Sequence, residues 1–426
     1  MKKIDVFFTY NTQPVGKTIS IETGETSVVI KLNVFNLSNY ELVKEMCKIE
    51  NIIKIYDSIK RINLIFDKSI ETPLANKLLS KIHDVLYQYY KFTKEIKLYQ
   101  VSEESANLMK ELDMFKNIIM DPNKNPDIYL EYVKSRIPET HDFFVFDVNS
   151  NDKFPLTKAV GAGSRYPSYW VHIKPTRENH GKKNIYMIGK AITFDSGGMN
   201  IKDDTMLDMK IDMTGSAIII SALNLFSKSG YSDNLNVHLI IPITENMIGN
   251  TATRPGQVVK TSGGKTVEIT DTDAEGRLCL ADGFEFVQMN LIQGKDLSKC
   301  LIIDVATLTG NTTSISNGVT SLLSANDKGV DYSDKLISVG EEIGEYLDYL
   351  KLRPEYFDFL TSKVADIRNL PRNAKAGCII AASFLNYFIN PAIPWIHIDL
   401  GKGTYVNEVA QSHGVNLLFE FLKNIC

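Results

Sequence analysis

Cysteine is scarce. Five residues in 426 (Cys47, Cys279, Cys300, Cys378 and Cys426) form an odd, scattered set with no CxxC. That pattern fits reduced thiols in a cytosol better than a disulfide framework. Neither sign of charge prevails, since 47 Lys+Arg face 51 Asp+Glu for a net of -4. No global field therefore favours nucleic acid or an anionic membrane as main partner. No apolar run approaches the roughly 18 uninterrupted residues of a membrane span. The best, near Ala217–Phe226 and Cys378–Ile389, carry Ser and Asn. The start, MKKIDVFFTYNTQPVG, has two lysines but a short apolar run and no small-residue cleavage site, so a secretory leader is not expected. Familiar catalytic signatures are missing as well. The seven histidines (His83, His141, His172, His180, His238, His397 and His413) form no HExxH or other paired spacing. There is no GxSxG and no GxxxxGK[ST], and Gly161-Ala162-Gly163-Ser164 is not a GxGxxG fingerprint. What remains, 44% hydrophobic and 23% charged residues, is an ordinary globular composition. The expectation is a soluble, cytoplasmic protein of about 2–3 domains' length.

The first hundred residues read as a small α/β unit. Short apolar or β-branched runs predict strands at Ile4–Thr9, Val28–Leu32, Ile62–Phe66 and Ile96–Val101, with helices over Tyr40–Lys48 and Leu74–Tyr90. A further helix begins after Ser102, a candidate N-cap, with Leu108, Leu112, Phe115 and Ile119 on one face. The expected domains are therefore 1–102 and 103–426. From Trp170 onward strands (Ile185–Gly189, Val237–Ile243, Leu301–Val305) alternate with helical patterns (Ile219, Leu223, Phe226; then Leu280, Phe284, Val287, Leu291). Such alternation predicts a larger α/β domain with a central mixed, mostly parallel sheet flanked by helices. In such sheets ligands lie beyond the carboxyl ends of the strands.

Two polar segments fall where that rule wants them. One is Gly189-Lys190-Ala191-Ile192-Thr193-Phe194-Asp195-Ser196-Gly197-Gly198, continuing to Lys202 and Asp212; the other is Asp271-Thr272-Asp273-Ala274-Glu275-Gly276-Arg277. Together they bring four carboxylates (Asp195, Asp212, Asp273, Glu275) and three basic groups (Lys190, Lys202, Arg277) into Gly-containing turns. Any one of these acids could be a solvated loop residue, and Asp273 could be a helix N-cap. Four drawn together would repel one another unless neutralised, and two divalent cations would do so. Hard oxygen donors without histidine suit Mg²⁺ or Mn²⁺ and can also hold Zn²⁺. His397 is read as a core-strand residue rather than a ligand, and Cys279 as a small buried helix residue.

These segments closely resemble the signature of the leucyl aminopeptidase family, the two-metal cytosolic aminopeptidases, in which GKGxTFDSGG and NTDAEGRL mark the active site. The likeness extends through Glu245-Asn246-Met247, Arg254-Pro255-Gly256, Gly264–Glu268, Asp304–Gly310, Ala376-Gly377-Cys378, Ala381–Leu385 and His397-Ile398-Asp399, from about Ser102 to the C-terminus. It implies an enzyme that releases N-terminal amino acids from peptides. Lys190, Asp195, Asp212 and Glu275 would hold the tighter metal; Asp195, Asp273 and Glu275 would hold an exchangeable one. The ions would be Zn²⁺ or Mn²⁺, with Mg²⁺ or Co²⁺ acceptable at the exchangeable site. Lys190 would ligate as the neutral amine, which requires a lowered pKa. Lys202 would stabilise the oxyanion, and Arg277 would hold a bicarbonate ion acting as general base. Met209, Thr307 and Gly310 would line the pocket for the first side chain, and Leu308 would offer its backbone to the peptide. A homo-hexamer with peptide substrates bearing a free N-terminus is likewise implied; no membrane partner is expected, and the balanced charge argues against nucleic acid.

Several residues depart from the family pattern. Asp271 replaces the usual Asn, adding charge expected to tighten cations or raise the pH needed for activity. Gln257 stands where Asp is usual, the loop Asp203–Asp208 lies in a variable stretch, and Leu400-Gly401-Lys402-Gly403-Thr404 is less apolar than expected near the pocket. Lys402 or Thr404 would make that pocket more polar. Two other classes remain as alternatives: a catalytically weak or inactive relative with a structural or DNA-binding role, and a two-metal phosphoesterase.

Overall fold

The computed structural model describes residues 2–9, 19–23, 27–34, 41, 44–45, 48–49, 59–87, 95–178, 181–372 and 375–426. It divides into two compact units, Met1–Asn117 and Ile118–Cys426. The division falls inside the helix Glu103–Met120, beyond its expected start. Ser102 does cap that helix, its Oγ accepting from the Ser105 N–H at 3.2 Å.

The first unit holds a five-stranded sheet built from β1 (Lys2–Thr9), β2 (Ile19–Thr23), β3 (Ser27–Asn33), β4 (Ile59–Phe66) and β5 (Glu95–Tyr99), in the order β2-β3-β1-β4-β5. Register explains its core: Ile4, Val6 and Phe8 lie opposite Ile62, Leu64 and Phe66 on β4. All six are buried, and Phe8 stacks on Phe66 with centroids 4.7 Å apart. The helix Thr72–Leu86, opened by a proline in its first turn, buries Ala75, Leu78, Leu79 and Ile82. The strand β2 was not anticipated; its five residues pair antiparallel with β3 as a hairpin edge. Residues 40, 42–43, 46–47 and 88–90 of the expected helices lie outside the described residues.

The second unit is organised on a nine-stranded mixed sheet. Its strands are β6 (His141–Asp147), β7 (Tyr169–Pro175), β8 (Lys183–Gly189), β9 (Ala191–Asp195), β10 (Leu235–Asn246), β13 (Cys300–Ala306), β14 (Ser321–Ala325), β15 (Leu347–Tyr349) and β17 (Trp395–Asp399). A separate small sheet holds β11 (Gln257–Lys260), β12 (Thr266–Ile269) and β16 (Ile367–Arg368). In the large sheet β17, β13, β8 and β10 are neighbours in parallel, with β9 parallel to the end of β10. All residues of β10 and β13 are buried, as in strands covered on both faces.

Two adjacent residues locate the covering helices. A Cβ on Gly189 would lie 2.4 Å from Ser216 Cα in the helix Thr214–Ser227. Ile188 instead meets Gly283 in the helix Gly276–Phe286. Successive strand residues point to opposite faces, so the two helices lie on opposite sides of the sheet. The continuous helical run Asp204–Ser227 has the length and apolarity of a membrane span, but most of it is buried within this unit, as a core helix is.

Candidate active site

Because β8, β9, β10, β13 and β17 run the same way, their carboxyl ends share one edge. There sit Lys190, Asp195, Asn246, Thr307 and Asp399, each at or just past its strand's last residue. The turn after β9 is made by Gly197 (φ +85°) and Gly198 (φ +63°), conformations that favour glycine. It is closed by the Lys202 N–H donating to the Ser196 carbonyl at 2.9 Å. That closure brings the Lys202 Nζ to 2.8 Å from Asp195 Oδ2 and into an ion pair with Asp273. Lys190 Nζ lies 2.8 Å from Asp212 Oδ2 and 2.8 Å from Glu275 Oε1, and donates to the Thr307 carbonyl at 3.0 Å. Gly276 permits this approach, for a Cβ there would lie 2.6 Å from Lys190 Cε.

All four sequence-predicted carboxylates thus converge with both lysines. Oxygens of Asp195, Asp273 and Glu275 lie within 4.8 Å of one another, a group able to hold a metal ion. Asp195, Asp212, Glu275 and Lys190 are nearly inaccessible, whereas the Asp273 side chain keeps 36% exposure and forms the open side. Asp273 does not act as an N-cap: the cap position of the helix Gly276–Phe286 is Glu275, without a side-chain cap bond.

Charge counting exposes the strain, with four carboxylates set against two ammonium groups. Burial, then repulsion from Glu275 and Asp195, pushes Asp273 up to about 7. Burial and Glu275 raise Asp195 as well, and burial raises Asp212 further. Glu275 goes the other way, because Lys190 and Lys202 outweigh its burial. For Lys190 burial favours the neutral amine, yet Asp212, Glu275 and Asp195 outweigh it and hold the ammonium form. Without a metal, then, Lys190 is an ion-pair partner; the amine form needed for ligation requires cations that displace its proton.

Arg277 is buried in the first turn of its helix, where burial lowers it to about 10 and leaves it cationic at neutral pH. Its Nη1 donates to the Asn369 carbonyl at 2.8 Å, while its buried Nε has no hydrogen-bond partner among the described residues. Thr307 donates from Oγ1 to Asp212 Oδ1 at 2.8 Å, so this hydroxyl is committed to the cluster rather than to a pocket. The Leu308 N–H donates to Asp399 Oδ1 at 3.0 Å, so what Leu308 can offer a peptide is its carbonyl. Met209 is half-buried in the 3₁₀ helix Asp204–Ile211, which also fixes the variable loop, and Gly310 is exposed. Cys279 and His397 are buried as expected, His397 Nδ1 pairing with Asp304 at 2.5 Å.

The departures resolve individually. Asp271 Oδ1 accepts from the Asp273 N–H at 2.9 Å, a bond an asparagine oxygen could equally make. Gln257 is the exposed first residue of β11, its Oε1 facing the Arg254 N–H. Thr404 is buried with its hydroxyl donating to the Gly401 carbonyl at 2.9 Å, so it does not make the pocket more polar. The Lys402 side chain lies outside the described residues. Sequence reasoning gave no role to Asn246, Thr272 or Asp399. Asn246 Nδ2 donates to Asp195 Oδ1 at 2.7 Å, and Thr272 Oγ1 to the Gly197 carbonyl at 2.7 Å. The blocks Glu245-Asn246-Met247 and His397-Ile398-Asp399 carried the signal, but not the partners.

Fold and site together define a class: an α/β protein with a lysine-braced acidic centre at the carboxyl edge of its sheet, suited to hard divalent cations. Comparison narrows this. Residues 116–418 match the catalytic domain of the cytosol aminopeptidase family. A "Probable cytosol aminopeptidase" of Rickettsia peacockii is 31% identical over 420 residues, covering 95% of this chain and 76% of the relative. One of the same name from Chlorobaculum tepidum is 37% identical over 273 residues, 62% of this chain and 52% of its own length. The chain thus spans about half of that relative. In solved structures, the bottromycin maturation enzyme BotP in complex with Mn shares the fold at TM-score 0.84 and 22% identity, covering 99% of both chains. The chain belongs to the cytosol aminopeptidase family.

Proposed function

We propose that the protein is a metal-dependent aminopeptidase that releases N-terminal amino acids from peptides in the cytoplasm. The observation that carries this is the surplus of buried carboxylate around two lysines at the strand edge, in a chain of this family. The donor set fits divalent cations: Lys190, Asp195, Asp212 and Glu275 would hold the tighter ion, and Asp195, Asp273 and Glu275 the exchangeable one. Two such cations, Zn²⁺ or Mn²⁺ with Mg²⁺ or Co²⁺ acceptable in the open site, would supply the charge that activates water and polarises the scissile carbonyl.

The chain's own residues do the rest. Lys190 gives up its proton on becoming a ligand, so metal loading is proton-linked. Lys202, held by Asp195 and Asp273, donates to the oxyanion that develops on the scissile carbonyl. Arg277 has an unpartnered buried Nε, a place for an anion such as the bicarbonate that would take the water's proton. Met209, Thr307 and Gly310 flank the first side chain, and the Leu308 carbonyl meets the peptide backbone. The resemblance adds a homo-hexamer, which sedimentation would test. Purified protein, stripped of metal and reloaded with Mn²⁺, Zn²⁺, Co²⁺ or Mg²⁺, should hydrolyse a panel of aminoacyl amides. Silence across the panel with metals bound would instead favour the non-catalytic reading.

A further inference from the structure

Asp399 ends β17 and is 1% exposed. Its carboxylate collects three donors from one short loop: the Leu308 N–H at 3.0 Å, the Thr309 N–H at 3.2 Å, and the Thr309 Oγ1 at 2.7 Å. The residue before them, Thr307, touches the acidic cluster twice. Its carbonyl accepts from Lys190 and its hydroxyl donates to Asp212. Backbone N–H groups must find acceptors when buried, and one side chain that accepts from neighbouring residues fixes their loop more firmly than a single bond would.

We propose that Asp399 is a positioning residue for this reaction. By accepting from Leu308 and Thr309 it sets the loop 307–309 so that the Leu308 carbonyl faces the peptide while Thr307 holds Lys190 and Asp212. The inference rests on the aminopeptidase reading. What matters is the acceptor geometry, not the negative charge. An asparagine could keep Oδ1 toward both N–H groups and turn its amide toward the Thr309 hydroxyl, which can accept.

The test compares Asp399→Ala, Asp399→Asn and Thr309→Val in metal-loaded full-length protein, by steady-state kinetics on an aminoacyl amide and by hydrogen exchange of the Leu308 and Thr309 amides. Asp399→Ala should raise KM about tenfold or more while kcat falls no more than about threefold. Its two loop amides should lose protection. Asp399→Asn should restore both readouts to within about threefold of the parent, and Thr309→Val, which keeps the N–H bonds, should shift KM less than about threefold. Equal damage in Asp399→Asn and Asp399→Ala would mean that charge matters and would overturn the proposal. So would an unchanged KM and unchanged exchange in Asp399→Ala. Should that variant not fold, Asp399→Asn and Thr309→Val decide alone: loop amides losing protection in either would contradict it. Parent protein that binds metal yet cleaves no amide would overturn the aminopeptidase reading, and the exchange data would still judge the loop.

Discussion

The large sheet buries ionisable groups toward both of its ends, and the two places solve the problem in opposite ways. Away from the carboxyl edge, His172 on β7 faces His238 on β10, Nε2 to Nδ1 at 3.3 Å, and His141 Nε2 contacts the Val237 carbonyl. Burial lowers His172 to about 4 and His238 further, so both are neutral at physiological pH. That region gives up charge. At the carboxyl edge four carboxylates face only Lys190 and Lys202, and burial and mutual repulsion raise Asp195, Asp212 and Asp273, so protons hold the acidic excess that the lysines leave unpaired. A core that needed only stability would follow the first solution, since unpaired buried charge costs more than a neutral hydrogen-bonded ring. The excess at the carboxyl edge is therefore the mark of a site that expects cations.

Substitutions should break this symmetry most strongly at the carboxyl edge. Asp273→Ala removes a donor from the open side and should lower kcat/KM on aminoacyl amides by about a thousandfold or more, read in the presence of saturating Mn²⁺. Lys202→Ala removes the proposed oxyanion donor and should cost about a hundredfold, mainly in kcat.

pH separates the two regions next. For Asp273 the folded pKa of about 7 lies above the ordinary carboxylate value of 3.8. A raised group stabilises the folded state below its unfolded pKa, and that contribution is lost as pH rises through the folded value. Chelator-treated protein should therefore lose stability from about pH 4 to about pH 7 through this group, and metal loading should remove the loss. The depressed His172 has the opposite sign: its contribution is present above 6.5 and is lost as pH falls towards about 4. Thermal melts with and without chelator should resolve both arms. The smallest effect is expected from His172→Phe. It should flatten the acid arm while leaving kcat/KM within about twofold, because nothing in that region touches the carboxylate cluster. A larger loss of activity would break the comparison.

How much of this was legible in the sequence differs by residue. The strands Ile185–Gly189, Val237–Ile243 and Leu301–Val305 announced themselves because covered parallel strands are continuous apolar runs. Asp195, Asp212, Asp273, Glu275 and the two lysines were legible because they cluster in two short segments, one directly after the first of those runs. Asn246, Thr272 and Asp399 were not, since a hydrogen-bond partner distant in the chain leaves no local pattern. The resemblance gave Thr307 a pocket role but not the bond of its hydroxyl to Asp212, a partner distant in the chain. Thr404 read as a polar pocket residue because composition cannot tell that its hydroxyl is already satisfied by Gly401.

The central claim is that this acidic excess exists to hold two divalent cations. Equilibrium dialysis of the metal-stripped protein against Mn²⁺, with proton release followed in weak buffer, addresses it most directly. The account predicts two ions per chain, protons released on loading, and one ion lost in Asp273→Ala. Fewer than one ion bound by the parent protein, or two retained by Asp273→Ala, would contradict it.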